Sequence, residues 1–364
     1  MIYIAYFILF FIVLQLLIAF ANFVFREKLT SKKSPDSNLK ISVLIPARNE
    51  EANIGNILSD IIQIDKNIVE ILVYDDFSSD NTAKIVSEFK LKDSRIKLLP
   101  PKEMPAGWLG KNFACHQLSL NAVGDYFLFI DADIRIKNSL INKTLSYVEE
   151  NGADLLSIFP KQEMRSFAEK ITVPNMQIIL LSLLFLPFVK LIRSFPSISA
   201  SNGQFMLIKS SVYRELLPHL TYKGSSAEDI EIAKYFKKKR KKVSCITGIS
   251  DITCRMYHSL NEAVNGFSKN VIYFFGGSYL LSFLFWTITT LGFIPLWIAF
   301  GWKGLVSFYA IQILTRLFIS LHSRQSVIEN VIFMIFQQMM LGVFIVNSLI
   351  SKKTKRLEWK GRKI

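Results

Sequence analysis

Tyr126-Phe-Leu-Phe-Ile-Asp-Ala-Asp133 is the stretch on which the reading of this chain turns. Its five apolar residues have the length of a short buried strand. Asp131 and Asp133 follow where the strand runs out, with one small residue between them. At that edge an open α/β sheet forms its ligand crevice. Mg2+ and Mn2+ take oxygen ligands, commonly one or two carboxylates plus substrate phosphates. The alternative for Asp133 is a helix cap, because a helical pattern over Asn138–Glu150 comes soon after.

The flanking sequence alternates strand and helix patterns. Strands are predicted at 41–45, 69–74 and 96–99, and again over Ala153–Ile158. Helices are predicted over Glu50–Ile62, Asn81–Phe89 and Leu109–Ala122. Such alternation predicts an α/β domain with a mostly parallel sheet covered on both faces.

Outside that region the chain is strongly apolar and basic. The 364 residues are 51% hydrophobic and carry a formal net charge of +15. A nucleic-acid binder matches the charge but not the long apolar runs, so no nucleic-acid partner is expected. An anionic membrane face fits both. Ile2–Phe25 is long enough to cross a bilayer, and no small-residue cleavage site follows it, so it reads as an anchor. Arg26, Lys28, Lys32 and Lys33 come next, which places the following domain in the cytoplasm. The three cysteines and four histidines show neither a disulfide framework nor zinc spacing.

Thr172–Ile192 is apolar but contains Pro174 and Pro187. It reads either as an interfacial helix resting the domain on the bilayer or as a buried core helix. Tyr279–Phe300, Leu305–Leu321 and Val331–Ile350 are three further candidate spans. Three spans after a cytoplasmic domain would put Lys352, Lys353, Lys355 and Arg356 outside, against the positive-inside rule. Either one segment is re-entrant or interfacial, or the rule fails at this tail. Arg316 makes the second segment the suspect, since a charge at mid-membrane is costly.

Several polar clusters sit at strand ends. Pro46-Ala-Arg-Asn-Glu50 follows the first strand, where Arg48 could meet a phosphate or a base. Asn49 as a helix cap, with Glu50 in the first turn, is the bland account. Asp75-Asp76 ends the second strand, and one of them can accept a base N–H or a ribose hydroxyl. Lys111, in Gly107-Trp-Leu-Gly-Lys111, lies at a helix N-terminus suited to an anion, or is simply solvated. Glu228-Asp229 opens another helix and could supply a general base, or merely complement that helix end. The basic run Lys237–Lys242 could face lipid or nucleic acid, or water. No Gly-x-Gly-x-x-Gly or Walker lysine motif is present, which disfavours a dinucleotide enzyme or an NTPase.

Taken in order, these pieces resemble the family 2 glycosyltransferases of GT-A fold, over about residues 39–267. The resemblance implies a Rossmann-like domain between N-terminal and C-terminal transmembrane helices. It implies nucleotide-sugar contacts from Pro46, Arg48, Glu50, Asp76, Lys111 and Asp131. It implies Mg2+ or Mn2+ at Asp133 and Asp131, and catalysis by Asp229 with Glu228. Gly107-Trp-Leu-Gly-Lys111, Ser201-Asn-Gly-Gln-Phe-Met206 and Glu358-Trp-Lys-Gly-Arg362 resemble a narrower group that glycosylates carotenoid acids, hopanoids and ceramides. Processive synthases of the family carry Gln-x-x-Arg-Trp after the Glu-Asp pair, whereas this chain has Arg255-Met-Tyr257. The expectation is therefore an inverting transfer of one sugar from a UDP-sugar to a membrane lipid, by a multi-pass protein of the cell membrane. A processive polysaccharide synthase and a degenerate membrane scaffold are the competing readings.

Overall fold

The computed structural model describes residues 1–29, 38–64 and 67–352, plus the backbone of 353–354, 358–359 and 362–363. Lys32, Lys33, Lys355 and Arg356, and most of the expected 351–364 tail, lie outside the described residues.

An apolar helix, α1 (Ile2–Val24), leads into the α/β domain. The first half of that domain runs β1 (Ile41–Ala47), α2 (Ile54–Ile62), β2 (Ile68–Asp75), α3 (Thr82–Lys92), β3 (Ile96–Leu99), α4 (Gly110–Asn121) and β4 (Tyr126–Ile130). The second half runs β5 (Ile134–Ile136), α5 (Ser139–Asn151), β6 (Leu155–Ile158), β7 (Lys161–Gln162), α6 (Phe167–Thr172), α7 (Pro174–Leu183) and α8 (Pro187–Leu191). It closes with β8 (Phe205–Lys209), α9 (Ser210–Leu216), α10 (Pro218–Thr221), α11 (Glu228–Lys238), β9 (Val243–Ile246) and β10 (Ile252–Cys254). Then come α12 (Leu260–Asn270), a 3-10 turn at Val271–Phe275, α13 (Tyr279–Leu291), α14 (Phe293–Phe300), α15 (Trp302–Ser323), α16 (Val327–Ile332) and α17 (Met334–Thr354).

The main sheet has seven strands in the order β3-β2-β1-β4-β8-β6-β9. All neighbours are parallel except β8, which runs antiparallel to both β4 and β6. Both faces are covered, which explains why its strands read as unbroken apolar runs. In β4, Phe127 and Phe129 enter one core, while Tyr126, Leu128 and Ile130 enter the other. That alternation is the two-residue period of a strand with protein on each side. A smaller sheet, β5-β10-β7, closes the end of β4.

Local expectations shift in informative ways. Asp133 caps no helix, because β5 intervenes before α5. The helix expected from Glu50 begins at Ile54. Asn49 instead accepts the Ser79 N–H, and has φ of 52°. Lys237, the first of the basic run, is buried and donates to the Ile192 and Ile198 carbonyls. Lys241 pairs with Glu215, and Lys242 donates its backbone N–H to Asp154.

The apolar segments also sort themselves. Within Thr172–Ile192, every residue from Pro174 to Ser182 of α7 is buried. Asn22 of α1 donates to the Leu181 and Leu184 carbonyls, and α7 also packs on α15 and α17. Exposed apolar side chains begin at Leu183 and continue at Phe188, Leu191 and Phe195. The span expected at Tyr279–Phe300 is not one helix, since Gly292 separates α13 from α14. Among the described residues, three helices are long and apolar enough to cross a membrane: α1, α15 and Met334–Lys352 within α17. Arg316 does not disqualify α15. It is buried and its guanidinium donates to Gln337 Oε1 and to the Asn330 and Met334 carbonyls.

Candidate active site

The C-terminal ends of β1, β2 and β4 open onto a cleft of about 150 Å3. Pro46, Arg48, Glu50, Asp76, Lys111, Asp131 and Asp133 all line it. Residues from four separate segments thus converge, each set at a strand end or helix start. Arg48 Nη1 donates to the Asp76 carbonyl at 2.6 Å and lies 3.9 Å from its carboxylate. That bond joins the ends of β1 and β2 into one wall. Asp75 turns away from this task and accepts from the Ser78 hydroxyl. Asp80 is structural too: it accepts the Glu51 and Thr82 N–H groups.

Lys111 stands in the first turn of α4 and is the electrostatic centre of the site. Its Nζ is 2.9 Å from Asp131 and 3.6 Å from Glu228. Burial works against its charge, but Asp131 and Glu228 outweigh burial and hold the ammonium well above its ordinary value. The alternative of a simply solvated lysine does not fit this geometry. Burial, with the charges of Asp131 and Glu50, pushes Asp133 up to about 7. Its Oδ1 is buried without a hydrogen-bond partner. An acid in that condition suits a cation, which would favour its charged form. Among the described residues no group of three or more His, Cys, Asp or Glu forms a metal cage. The donor set instead fits an ion shared between Asp133, Asp131 and phosphate oxygens.

Glu228 and Asp229 begin α11 and reach the site through a pinned loop. Asn112 Nδ2 donates to the carbonyls of Tyr222, Lys223 and Ser225 at 2.9–3.1 Å. The Leu109 N–H donates to the Lys223 carbonyl at 2.8 Å. The start of α4 therefore holds the segment that precedes Glu228, next to Lys111 itself. Burial pushes Glu228 up to about 7, against the pull of Lys111. Burial also raises Asp229, although the N–H groups of Ile230 and Gly203 oppose it.

Three contributors went unassigned in the sequence reading. Asn112 directly follows the Gly107–Lys111 motif and Gly203 lies inside Ser201–Met206, but neither residue type announces its role. A Cβ at Gly203 would sit 3.2 Å from Lys111 Nζ and 3.3 Å from Glu228 Oε1, so a side chain there would push on both charged groups. Cys254, from β10, places its thiol against Asp133 and accepts from Gln204 Nε2 at 2.9 Å. No local pattern marks that contact, because 121 residues of chain separate the partners.

The strand order, the antiparallel β8 and the acidic pair ending β4 define a GT-A fold. A mannosyltransferase from Pyrobaculum calidifontis, solved with GDP-Man and Mn2+, shares it with a TM-score of 0.60 at 15% identity, over 96% of this chain and 99% of that one. Residues 42–217 match the family described as Glycosyl transferase family 2. It is 26% identical to the 4,4'-diaponeurosporenoate glycosyltransferase of Staphylococcus haemolyticus over 249 residues. It is 30% identical to the enzyme of that name from Staphylococcus aureus over 146 residues. These matches span 63% and 38% of the two relatives, less than two thirds of either.

Proposed function

We propose that this chain transfers a single sugar from a nucleotide-sugar, a UDP-sugar in our reading, to a membrane lipid, with inversion at the anomeric carbon. The observation that carries this is Lys111 held between Asp131 and Glu228, which joins the nucleotide wall of the cleft to the acids of α11. Arg48 and Asp76 would hold the nucleoside, with Pro46 and Glu50 shaping the same wall. Mg2+ or Mn2+, bound through Asp133 and Asp131, would supply Lewis-acid neutralisation of the diphosphate. Lys111 adds a fixed positive charge where negative charge grows on the leaving group.

Asp229 takes the proton of an acceptor hydroxyl. The acceptor oxygen forms its bond to the anomeric carbon as the bond to the diphosphate oxygen breaks, and the electron pair leaves with the nucleotide. Two backbone N–H bonds fix the Asp229 carboxylate for this work. Glu228 positions Lys111 from the other side. Where the acceptor is itself a carboxylate, as in a carotenoid acid, no proton needs removal and Asp229 only orients it.

The acceptor class is the wider set of carotenoid acids, hopanoids, ceramides and diacylglycerols. The diaponeurosporenoate relatives support its first member. The apolar helices support a multi-pass protein of the cell membrane, and the basic flank after α1 supports a cytoplasmic domain. Lack of a Gln-x-x-Arg-Trp motif supports one transfer over polymerisation. The test is release of UDP from UDP-sugars with a total lipid extract and Mn2+, with products separated by mass. One glycolipid is expected. A ladder of polymers would replace this reading with a processive synthase, and no release from any nucleotide-sugar would replace it with a scaffold.

A further inference from the structure

The stretch that follows α7 keeps apolar side chains in the open although its backbone is tied down on both sides. Asn22 of α1 donates to the Leu181 and Leu184 carbonyls at 3.0 and 2.8 Å and accepts the Leu186 N–H at 2.9 Å. Lys190 of α8 pairs with Glu27, just beyond α1, and Glu27 also accepts from Tyr147 Oη of α5 at 2.6 Å. Past α8, Lys237 of α11 donates to the Ile192 and Ile198 carbonyls. Lys237 is buried, so these charge-assisted bonds replace the water its ammonium gave up.

Despite these ties, Phe188, Leu191 and Phe195 are 42%, 68% and 58% exposed. A backbone held at Leu186, Ile192 and Ile198 does not let them turn inward by loop motion. Val189, between the first two, is buried, so the stretch has an inner and an outer side. Arg193 is exposed among the outer residues. Apolar side chains gathered on a surface, with a cation among them, are costly in water. They are favourable where acyl chains meet anionic headgroups.

Their place in the fold points the same way. Phe25, at the end of α1, is exposed and meets the edge of Phe185 with ring centroids 6.0 Å apart, and Phe185 meets Phe188 at 4.8 Å. Further back along α1, Gln15 Nε2 donates to Ser182 Oγ at 3.4 Å. The chain thus runs beside α1 and emerges where that helix reaches the α/β domain. The outer residues extend the apolar surface of α1 onto the domain itself.

We propose that residues 183–195 form a membrane-surface contact, separate from the crossing helices, that seats the α/β domain on an anionic bilayer. Phe188, Leu191 and Phe195 enter the acyl boundary, and Arg193 meets lipid phosphates. α7 takes no part in it, since Pro174–Ser182 is buried. The same stretch of chain continues to Gly203, whose N–H donates to Asp229. The inference rests on α1 crossing the membrane, not on sugar chemistry.

The full-length protein in vesicles of phosphatidylcholine and phosphatidylglycerol tests it. The native thiols Cys115, Cys245 and Cys254 are buried, so nitroxides attach at introduced cysteines. Leu191→Cys and Phe195→Cys probe the contact, Phe7→Cys probes α1, and Leu91→Cys in α3 marks water; all four positions are exposed. Electron paramagnetic resonance compares access of oxygen, which partitions into lipid, with that of a water-soluble nickel chelate. The expected result is oxygen access with loss of chelate access at 7, 191 and 195, and chelate access at 91. Adding Arg193→Glu should restore chelate access at 191, and no shift would overturn the role given to Arg193. Chelate access at 191 and 195 equal to that at 91, with position 7 in lipid, would overturn the contact and leave both the crossing of α1 and the transferase reading intact. Loss of oxygen and chelate access together would show protein over these residues, as in a dimer of this chain, and would overturn it too. Chelate access at all four positions would overturn the crossing of α1 as well.

Discussion

The backbone N–H of Gly203 donates to Asp229 Oδ2 at 3.0 Å. The bond ties the loop before β8 to the first turn of α11, and it aims a carboxylate that burial raises. Asp229→Asn keeps the shape and removes the base. Donor binding should be retained, while transfer to a hydroxyl lipid falls roughly 10^2- to 10^4-fold. Calorimetry with the UDP-sugar, beside single-turnover assays, checks both arms. Near-normal turnover would take Asp229 out of its role.

Gly203 also leaves room. A side chain there meets the ends of Lys111 and Glu228. Gly203→Val should lower turnover by roughly 100-fold through misplacement of those groups, with little change in melting temperature. A large drop in melting temperature would mark the glycine as a folding requirement instead.

Asn112 should act on turnover rather than on the nucleotide. Its amide satisfies three carbonyls of the 222–225 loop. Asn112→Ala would strand them, costing roughly 1–3 kcal/mol of local order. Faster hydrogen exchange over 222–230 and a lower kcat are expected, with KM for the nucleotide-sugar held within a few fold.

Asp133 should govern the divalent ion. Asp133→Asn removes a negative charge beside Asp131 and should weaken Mn2+-dependent binding of UDP by at least about tenfold. UDP binding measured without metal should be much less affected. Equal loss with and without Mn2+ would assign Asp133 to nucleotide contact alone.

Glu169 gives the fold an acid-sensitive tie. Burial would raise its carboxyl, but hydrogen bonds from Arg255, the Arg165 N–H and Ser166 outweigh burial and hold it at about 2 against an ordinary 4.5. Since the folded value is the lower one, this stabilisation is present above pH 4.5 and is lost as pH falls towards 2. Solvent at Arg255 reduces it to about 1–2 kcal/mol. Denaturant midpoints of the wild type and Glu169→Gln should differ at pH 6, draw together below pH 4.5 and converge near pH 2. A pH-independent gap would show that packing, not charge, sets the difference.

Some of this was legible before any coordinates. The β4 run and its acids, the strand ends at Arg48 and Asp76, and Lys111 at a helix start all follow from local pattern, because strand and helix periods are local properties. Shifts at the edges have local causes that pattern does not carry. Glu50 belongs to a turn rather than a helix because its N–H is taken by Thr82 Oγ1 across the loop, at 2.8 Å. The segment after Thr172 suits lipid or core equally, since apolar residues answer to either, and its packing against α1, α15 and α17 is visible only in the folded chain.

The amino-acid sequence alone determined the α/β class, the chemistry available at each strand end and the presence of apolar helices, since these depend on residue type and short-range spacing. Tertiary structure alone decided that Lys111 sits between Asp131 and Glu228, that Cys254 meets Asp133, and that Arg316 meets Gln337. Those relations join residues far apart in the chain, and packing and direction in space carry no signature in spacing along it.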